Sequence, residues 1–214
     1  MLNFVSAVVR QYTISPSCVR AAVIRYTSTA EDVIQLSSYS DENRLVQAIG
    51  RIPPSSGVSN LAVALDLLRT RVFASSIARP NTARIAIVVT DNLQPSSQIT
   101  DAANNARLQG ITLVGVGIAS PGPMNFNALR SLTSNWAIQV NSYGDLISGA
   151  RNTIIQQYGC FPYTPPTTTT TTTTSAPGTC FCVCFNILGT THRRHLCLRH
   201  LFIYLGKVKS HTRR

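Results

Sequence analysis

Two patterns of apolar residues alternate along most of this chain. Short runs rich in Val, Ile and Leu are typical of buried β-strands. The segments between them have apolar residues every three or four positions, which is typical of amphipathic helices. This alternation predicts an α/β domain with helices on both faces of a mostly parallel sheet.

The strongest strand signals lie in the middle of the chain. Residues 84–90, RIAIVVT, and residues 111–119, ITLVGVGIA, are apolar on both faces. We therefore expect two adjacent central strands, covered on both sides. Residues 19–26 and 32–39 predict an antiparallel pair at one edge, and residues 136–140 predict a last strand.

Helical periodicity fills the intervals between these strands. The predicted helices cover the N-terminal residues up to about Arg10, residues 41–49 with Asp41 as a candidate N-cap, a stripe of Leu61, Leu65, Leu68 and Val72, about 97–109, 125–133 and 144–159. In the last helix we expect Ile147, Ala150 and Ile154 to face the core. The N-terminal run has a second interpretation, a signal peptide. We favour the helix, because the run lacks a basic leading region and a small-residue cleavage site.

Composition changes at Phe161 and predicts three regions. Residues 1–160 form the folded body, with twelve Arg, no Lys and all eight acids of the chain. Residues 161–178 contain eight consecutive Thr and predict an extended linker, mucin-like in a secreted protein. Residues 179–214 have five Arg, two Lys and no acid, and predict a basic, disordered tail that shares no core with the body.

The tail invites two other interpretations, metal binding and nucleic-acid binding. Its C-x-C-x-C spacing does not close a tetrahedral zinc site, and no stacking platform or groove-reading element accompanies its basic residues. We expect neither activity. No apolar run is long enough to span a bilayer. The six cysteines, at 18, 160, 180, 182, 184 and 197, do not fix the redox compartment.

Four stretches, in their order and spacing, resemble the von Willebrand factor type A domain. They are VRAAVIRYTSTAEDVIQLSSY, GVSNLAVALDLL, RIAIVVTDN and GITLVGVGIA, and the resemblance covers about residues 1–158. It is strongest to the extracellular, collagen-associated and matrilin-like members. The resemblance implies a Rossmann-like fold, an extracellular or secreted location, and a matrix or cell-surface protein as the partner.

The resemblance also implies a divalent-metal site at the carboxyl ends of the central strands, suited to Mg²⁺, Mn²⁺ or Ca²⁺. In the family its ligands come from an Asp-x-Ser-x-Ser loop after the first strand, a Thr before the third helix, and an Asp that ends the central strand. Asp91 matches the last ligand, and Ser59 matches the Thr position with its hydroxyl retained.

This chain departs from the family pattern at that site. The first strand and the Asp-x-Ser-x-Ser loop are absent, Leu61 stands where a second hydroxyl residue is common, and Asn92 stands where Gly usually follows the Asp. We expect a remnant site that holds no metal, an unpaired strand edge where the first strand is missing, and poor solubility. Asp91 remains open as a cap or turn former, and Ser59 as the cap of the helix that follows it.

The stretch GVGIASPG, residues 115–122, superficially matches a dinucleotide-binding motif. Its third glycine is displaced and follows Pro121, so no helix N-terminus would meet a pyrophosphate. We expect Gly115 and Gly117 to let a helix pack close to a central strand instead.

No catalytic set can be assembled from the body. All four His lie in the tail, and the sequence offers no Ser/His/Asp or Cys/His set. We therefore expect a protein-binding or adhesion module rather than an enzyme. The alternative is a structural or spacer domain of a larger matrix protein, without metal-dependent binding.

Overall fold

The computed structural model describes residues 1–55, 57–74, 78–79, 82–119 and 124–154, and the strand pairing of 161–162, 182–183 and 198–205. Its main sheet has six strands in the order β2-β1-β8-β3-β4-β5. These are β1 (Arg20–Tyr26), β2 (Ala30–Ile34), β3 (Ala83–Thr90), β4 (Ile111–Ile118), β5 (Ala137–Val140) and β8 (Leu198–Leu205). β1 and β2 pair antiparallel and the other neighbours pair parallel, which confirms the predicted fold class.

β3 shows why its sequence has no polar face. Ile85, Ile87 and Val89 contribute to one apolar cluster, with α1 (Leu2–Val9) and α2 (Glu42–Gly50) above them. Ala86 and Val88 contribute to a second cluster on the opposite face. Since successive side chains of a strand point to opposite faces, a strand covered on both sides has to be apolar throughout.

The second face is covered by three helices. They are α3 (Leu61–Leu67), which continues as a π-helical turn over Leu68–Val72, α4 (Ser97–Leu108) and α5 (Phe126–Leu132). Each begins with a side-chain cap: Asn60 accepts from the Ala62 amide at 3.2 Å, Ser96 from Ile99 at 3.2 Å, and Asn125 from Ala128 at 3.0 Å. These polar residues just before apolar periodic runs fix where the helices start.

Asp41 caps α2, as the sequence predicts, by accepting from the Arg44 amide at 2.9 Å. The N-terminal run is also helical: Phe4, Val5, Val8 and Val9 of α1 are buried in the first cluster. The second edge strand differs in its limits, since β2 begins at Ala30 and ends at Ile34 rather than covering 32–39.

The last helix departs from the predicted register. Residues Leu146–Arg151 form a π-helical segment, α6, followed by helical residues 152–154. Leu146 is 1% exposed and Ile147 39%, so the expectation that Ile147 faces the core is wrong, whereas Ala150 and Ile154 are buried as expected. A π-helix has more residues per turn than an α-helix, which moves the buried stripe away from the predicted position. Residues 155–159 of the predicted helix lie outside the described residues.

β8 corrects two expectations. It comes from the basic tail and pairs in parallel with both β1 and β3, so it lies between them. Residues 198–205 therefore belong to the sheet of the body, and the facing edges of β1 and β3 are paired. The physical reason is that two buried strand edges must satisfy their N–H and C=O groups, and an eight-residue segment, LRHLFIYL, supplies the partners.

A small antiparallel sheet joins β6 (Phe161–Pro162) to β7 (Cys182–Val183). The expectations for the rest of the linker and the tail fall outside the described residues. Within the described part of the chain, no helix combines the length and apolar character that a bilayer span requires.

Candidate functional site

Asp91 is the first residue after β3 and lies at the carboxyl edge of the sheet. Its Oδ2 accepts a hydrogen bond of 2.6 Å from the hydroxyl of Tyr143, in the loop between β5 and α6. Burial raises the pKa of Tyr143, and its hydrogen bond to Asp91 raises this pKa further. The phenol therefore keeps its proton at neutral pH and acts as the donor.

Tyr26 ends β1 beside Asp91, and only 1% of its surface is exposed. The pKa of Tyr26 is raised to about 12, mainly because the phenol is buried. The hydroxyls of Thr90 and Ser59 lower this pKa, whereas the negative charge of Asp91 raises it. The structure thus brings the two sequence-predicted ligands, Asp91 and Ser59, to the same buried phenol.

The turn after β3 is held by Thr90 itself. The buried Thr90 hydroxyl donates to the Asn92 carbonyl at 2.8 Å, and the Asn92 amide donates back to Thr90 Oγ1 at 3.3 Å. Such a side-chain turn does not need the Gly that the family has at the Asn92 position.

Ser59 is not the cap of the helix that follows it. That role belongs to Asn60, whose own amide donates to the Thr27 carbonyl at 2.8 Å and ties the start of α3 to the end of β1. Leu61 offers no side-chain oxygen to a metal, and its side chain is buried in the second apolar cluster.

The described residues do not fit the divalent metal that the family resemblance implies. They contain no group of three or more His, Cys, Asp or Glu side chains that could surround an ion. Asp91 is engaged by Tyr143, and Ser59 faces Tyr26. Mg²⁺ and Ca²⁺ need about six or more oxygen ligands, among which one carboxylate provides little charge compensation.

Two residues of this edge, Tyr26 and Tyr143, were missed by sequence reasoning. In the sequence, Tyr26 looks like the last apolar residue of the strand pattern VRAAVIRY. Tyr143 lies in NSYGD, where an aromatic residue inside a polar turn was the available signal. Neither pattern reveals that the Tyr143 hydroxyl donates to Asp91 or that Tyr26 lies within the influence of its charge.

Cys18 is disulfide-bonded. A disulfide is typical of proteins that fold in an oxidising compartment. This feature resolves what the cysteine count alone left open about the bonding state of Cys18.

Comparison with known proteins places the chain in a family. The family model of the von Willebrand factor type A domain matches residues 1–148. Matrilin-3 of Homo sapiens is 38% identical over 120 residues, which are 54% of this chain and 24% of that protein. The collagen alpha-5(VI) chain of Mus musculus is 24% identical over 154 residues, which are 70% of this chain and 6% of that protein. The chain therefore spans well under half the length of these relatives.

A solved structure shows the same fold. Proximal thread matrix protein 1 from the mussel byssus, in a form with a zinc-occupied MIDAS motif, has a TM-score of 0.65 at 18% identity, over 73% of this chain and 41% of that chain. Since the family model also covers more than half of the sequence, the chain belongs to the von Willebrand factor type A domain family.

Proposed function

We propose that this chain is an extracellular protein-binding module of the adhesion type, whose partner is a matrix or cell-surface protein. The observation that carries the proposal is the polar cluster of Asp91, Ser59 and Tyr26 at the carboxyl edge of the sheet. In open α/β sheets ligands bind outside this edge. The Cys18 disulfide supports the extracellular location.

The proposal includes no catalytic step, no nucleic-acid partner and no metal bound to this chain. In a complete form, an upstream strand ending in Asp-x-Ser-x-Ser would take the place of β8 between β1 and β3, add ligands to Asp91 and Ser59, and hold Mg²⁺, Mn²⁺ or Ca²⁺. The zinc-occupied motif of the mussel protein supports that part of the proposal.

The second candidate is a structural or spacer domain. It is favoured by the hydrogen bond from Tyr143, which satisfies Asp91 within the chain itself. A spacer would make its contacts elsewhere and would be insensitive to substitutions at the carboxyl edge.

The test is binding of the full chain to a panel of immobilised, purified matrix proteins, followed by surface plasmon resonance with Mn²⁺ and with EDTA. Asp91→Ala should weaken binding about tenfold or more, the usual effect at a central contact. Asp101→Ala, at an exposed position of α4, is the matched control and should bind like wild type. Binding unaffected by Asp91→Ala would favour the spacer, and no binding to any matrix protein would reject the adhesion proposal.

A further inference from the structure

The Tyr143–Asp91 hydrogen bond joins two segments that are 52 positions apart in the chain. Asp91 lies at the tip of β3, and Tyr143 lies in the loop that leads into α6. The ring of Tyr143 packs against the first apolar cluster, which contains Val140 and Leu146 on either side of the loop. This packing fixes the direction from which the hydroxyl approaches the carboxylate.

The hydrogen bond has the length of a strong one. At 2.6 Å, a phenol donating to a carboxylate falls in the range of charge-assisted O–H···O⁻ bonds, which are about twice as strong as neutral ones. The loop itself is also ordered by local bonds, since Ser142 Oγ donates to Asp145 Oδ2 at 2.9 Å and the Asp145 amide donates to the Ser142 carbonyl at 3.2 Å.

One neighbouring oxygen group is likewise engaged inside the protein, since the Thr90 hydroxyl donates to the Asn92 carbonyl at 2.8 Å. The hydroxyls of Ser59 and Thr90 also lower the pKa of the Tyr26 phenol, which places them near it. A divalent ion at this edge would have to share the charge of Asp91 with the Tyr143 hydroxyl. The described residues contain no group of three or more His, Cys, Asp or Glu side chains that would strengthen its binding there.

We propose that Tyr143 is a positioning residue which holds Asp91 in the role that a divalent cation has in a complete site, so that this edge is organised without metal. The hydrogen bond couples the start of α6 to the tip of β3. The inference rests on the proposed function only in treating this edge as the binding surface. Its test needs no partner protein, so the two can fail separately.

The first experiment is a double-mutant cycle on the full chain, followed by thermal unfolding in EDTA. Tyr143→Phe keeps the ring and removes the donor, and Asp91→Asn keeps the shape and removes the charge. Each should lower the Tm by about 3–10 °C, and the double variant should be no worse than the more harmful single one. Additive losses would mean that the two residues act independently and would overturn the proposal.

Tyr39→Phe is the matched control. Tyr39 is half-buried against the same apolar cluster, and within the described residues its hydroxyl has no hydrogen bond. Removal of the Tyr39 hydroxyl should change the Tm by less than about 2 °C. An equal effect at Tyr39 and Tyr143 would reduce Tyr143 to a packing role.

Two further measurements distinguish coupling and metal binding from general destabilisation. Asp91→Asn should speed amide hydrogen exchange in residues 141–146 more than in β4 and α2. Unchanged exchange in that loop would contradict the coupling. A bound ion would raise the Tm by ligand linkage. Since we expect no ion to bind, addition of about 5 mM MnCl₂ should leave the Tm of wild type unchanged to within about 1 °C. A clear rise that Asp91→Asn abolishes would show a functioning metal site and overturn the inference.

Discussion

Leu129 of α5 lies directly against the backbone of Gly115 in β4. A Cβ atom at Gly115 would be 2.7 Å from Leu129 Cγ and 2.8 Å from its Cδ1, well inside van der Waals contact. Gly117, two positions along the same face, also meets Leu129, with 3.1 Å to Cδ2. The two glycines therefore allow a helix to pack close to a central strand, as the sequence predicted, and do not form a phosphate-binding loop.

The first prediction concerns that contact. Gly115→Ala should lower the free energy of unfolding by about 1–3 kcal/mol, because the fully buried Leu129 has to shift within a packed core. Gly50→Ala is the control: a Cβ at Gly50, the last residue of α2, meets nothing within 4 Å. Urea denaturation of both variants is the measurement. Equal midpoints for Gly115→Ala and wild type would show that α5 does not pack as described.

The second prediction concerns the half-buried carboxyl of Asp32 in β2. Its Oδ1 has no hydrogen-bond partner within the described residues, and burial raises the pKa of Asp32 although the charge of Arg71 lowers it. A raised pKa in the folded state means that this group's contribution to stability is present at low pH and is lost as the pH rises through that pKa.

Asp32→Asn should therefore raise the urea midpoint near pH 7, and this gain should disappear below about pH 3, where both states of wild type are protonated. Asp101→Asn, at an exposed position of α4, should show no such pH-dependent gain. A gain that is the same at both pH values would point to a cause other than ionisation.

The third prediction concerns the start of α3. Asn60→Ala should cost about 1 kcal/mol of stability, the usual loss of an N-cap, and Asn60→Ser should restore most of it. Chemical denaturation with far-UV circular dichroism measures both. If Asn60→Ala left the free energy of unfolding unchanged, Ser59 rather than Asn60 would be the cap of α3.

The fourth prediction concerns β8. Ile203 pairs with Val23 on one side and Ile87 on the other, at the centre of the sheet. Ile203→Pro removes a backbone donor from a central strand and should cost about 3 kcal/mol or more, or prevent folding.

Thr170→Pro is the control for this substitution, because the eight-Thr segment cannot bury apolar area and should tolerate a proline. Thermal unfolding of the full chain compares the two variants. If Ile203→Pro unfolds at the wild-type temperature, residues 198–205 do not belong to the folded core.

Local patterns predicted the parts of the fold that depend on neighbours in sequence. The uninterrupted apolar run of β3 and the carboxylate of Asp41 before α2 each specify their own structure, because burial and capping act within a few residues. Ile147 was misplaced since nothing in the periodicity marks a π-helical segment. The partners of Asp91 and the origin of the central strand could not be predicted, because each is a contact between residues far apart in the chain.

Because β8 pairs with β1 and β3, the sheet of this domain cannot be completed until residues 198–205 have been synthesised. Ala83 pairs with Leu198 and Arg20 pairs with His200, so the centre of the sheet joins segments from opposite parts of the chain. At about 5–20 residues per second, roughly 5–25 s of synthesis separate β3 from β8. Through that interval β1 and β3 face each other with open hydrogen-bonding edges, which are templates for pairing with other chains. The high contact order also slows the final closure. A cell that makes this protein must therefore shield a half-built sheet until its last strand arrives, and yield in expression should depend on chaperone supply more than on the stability of the finished fold.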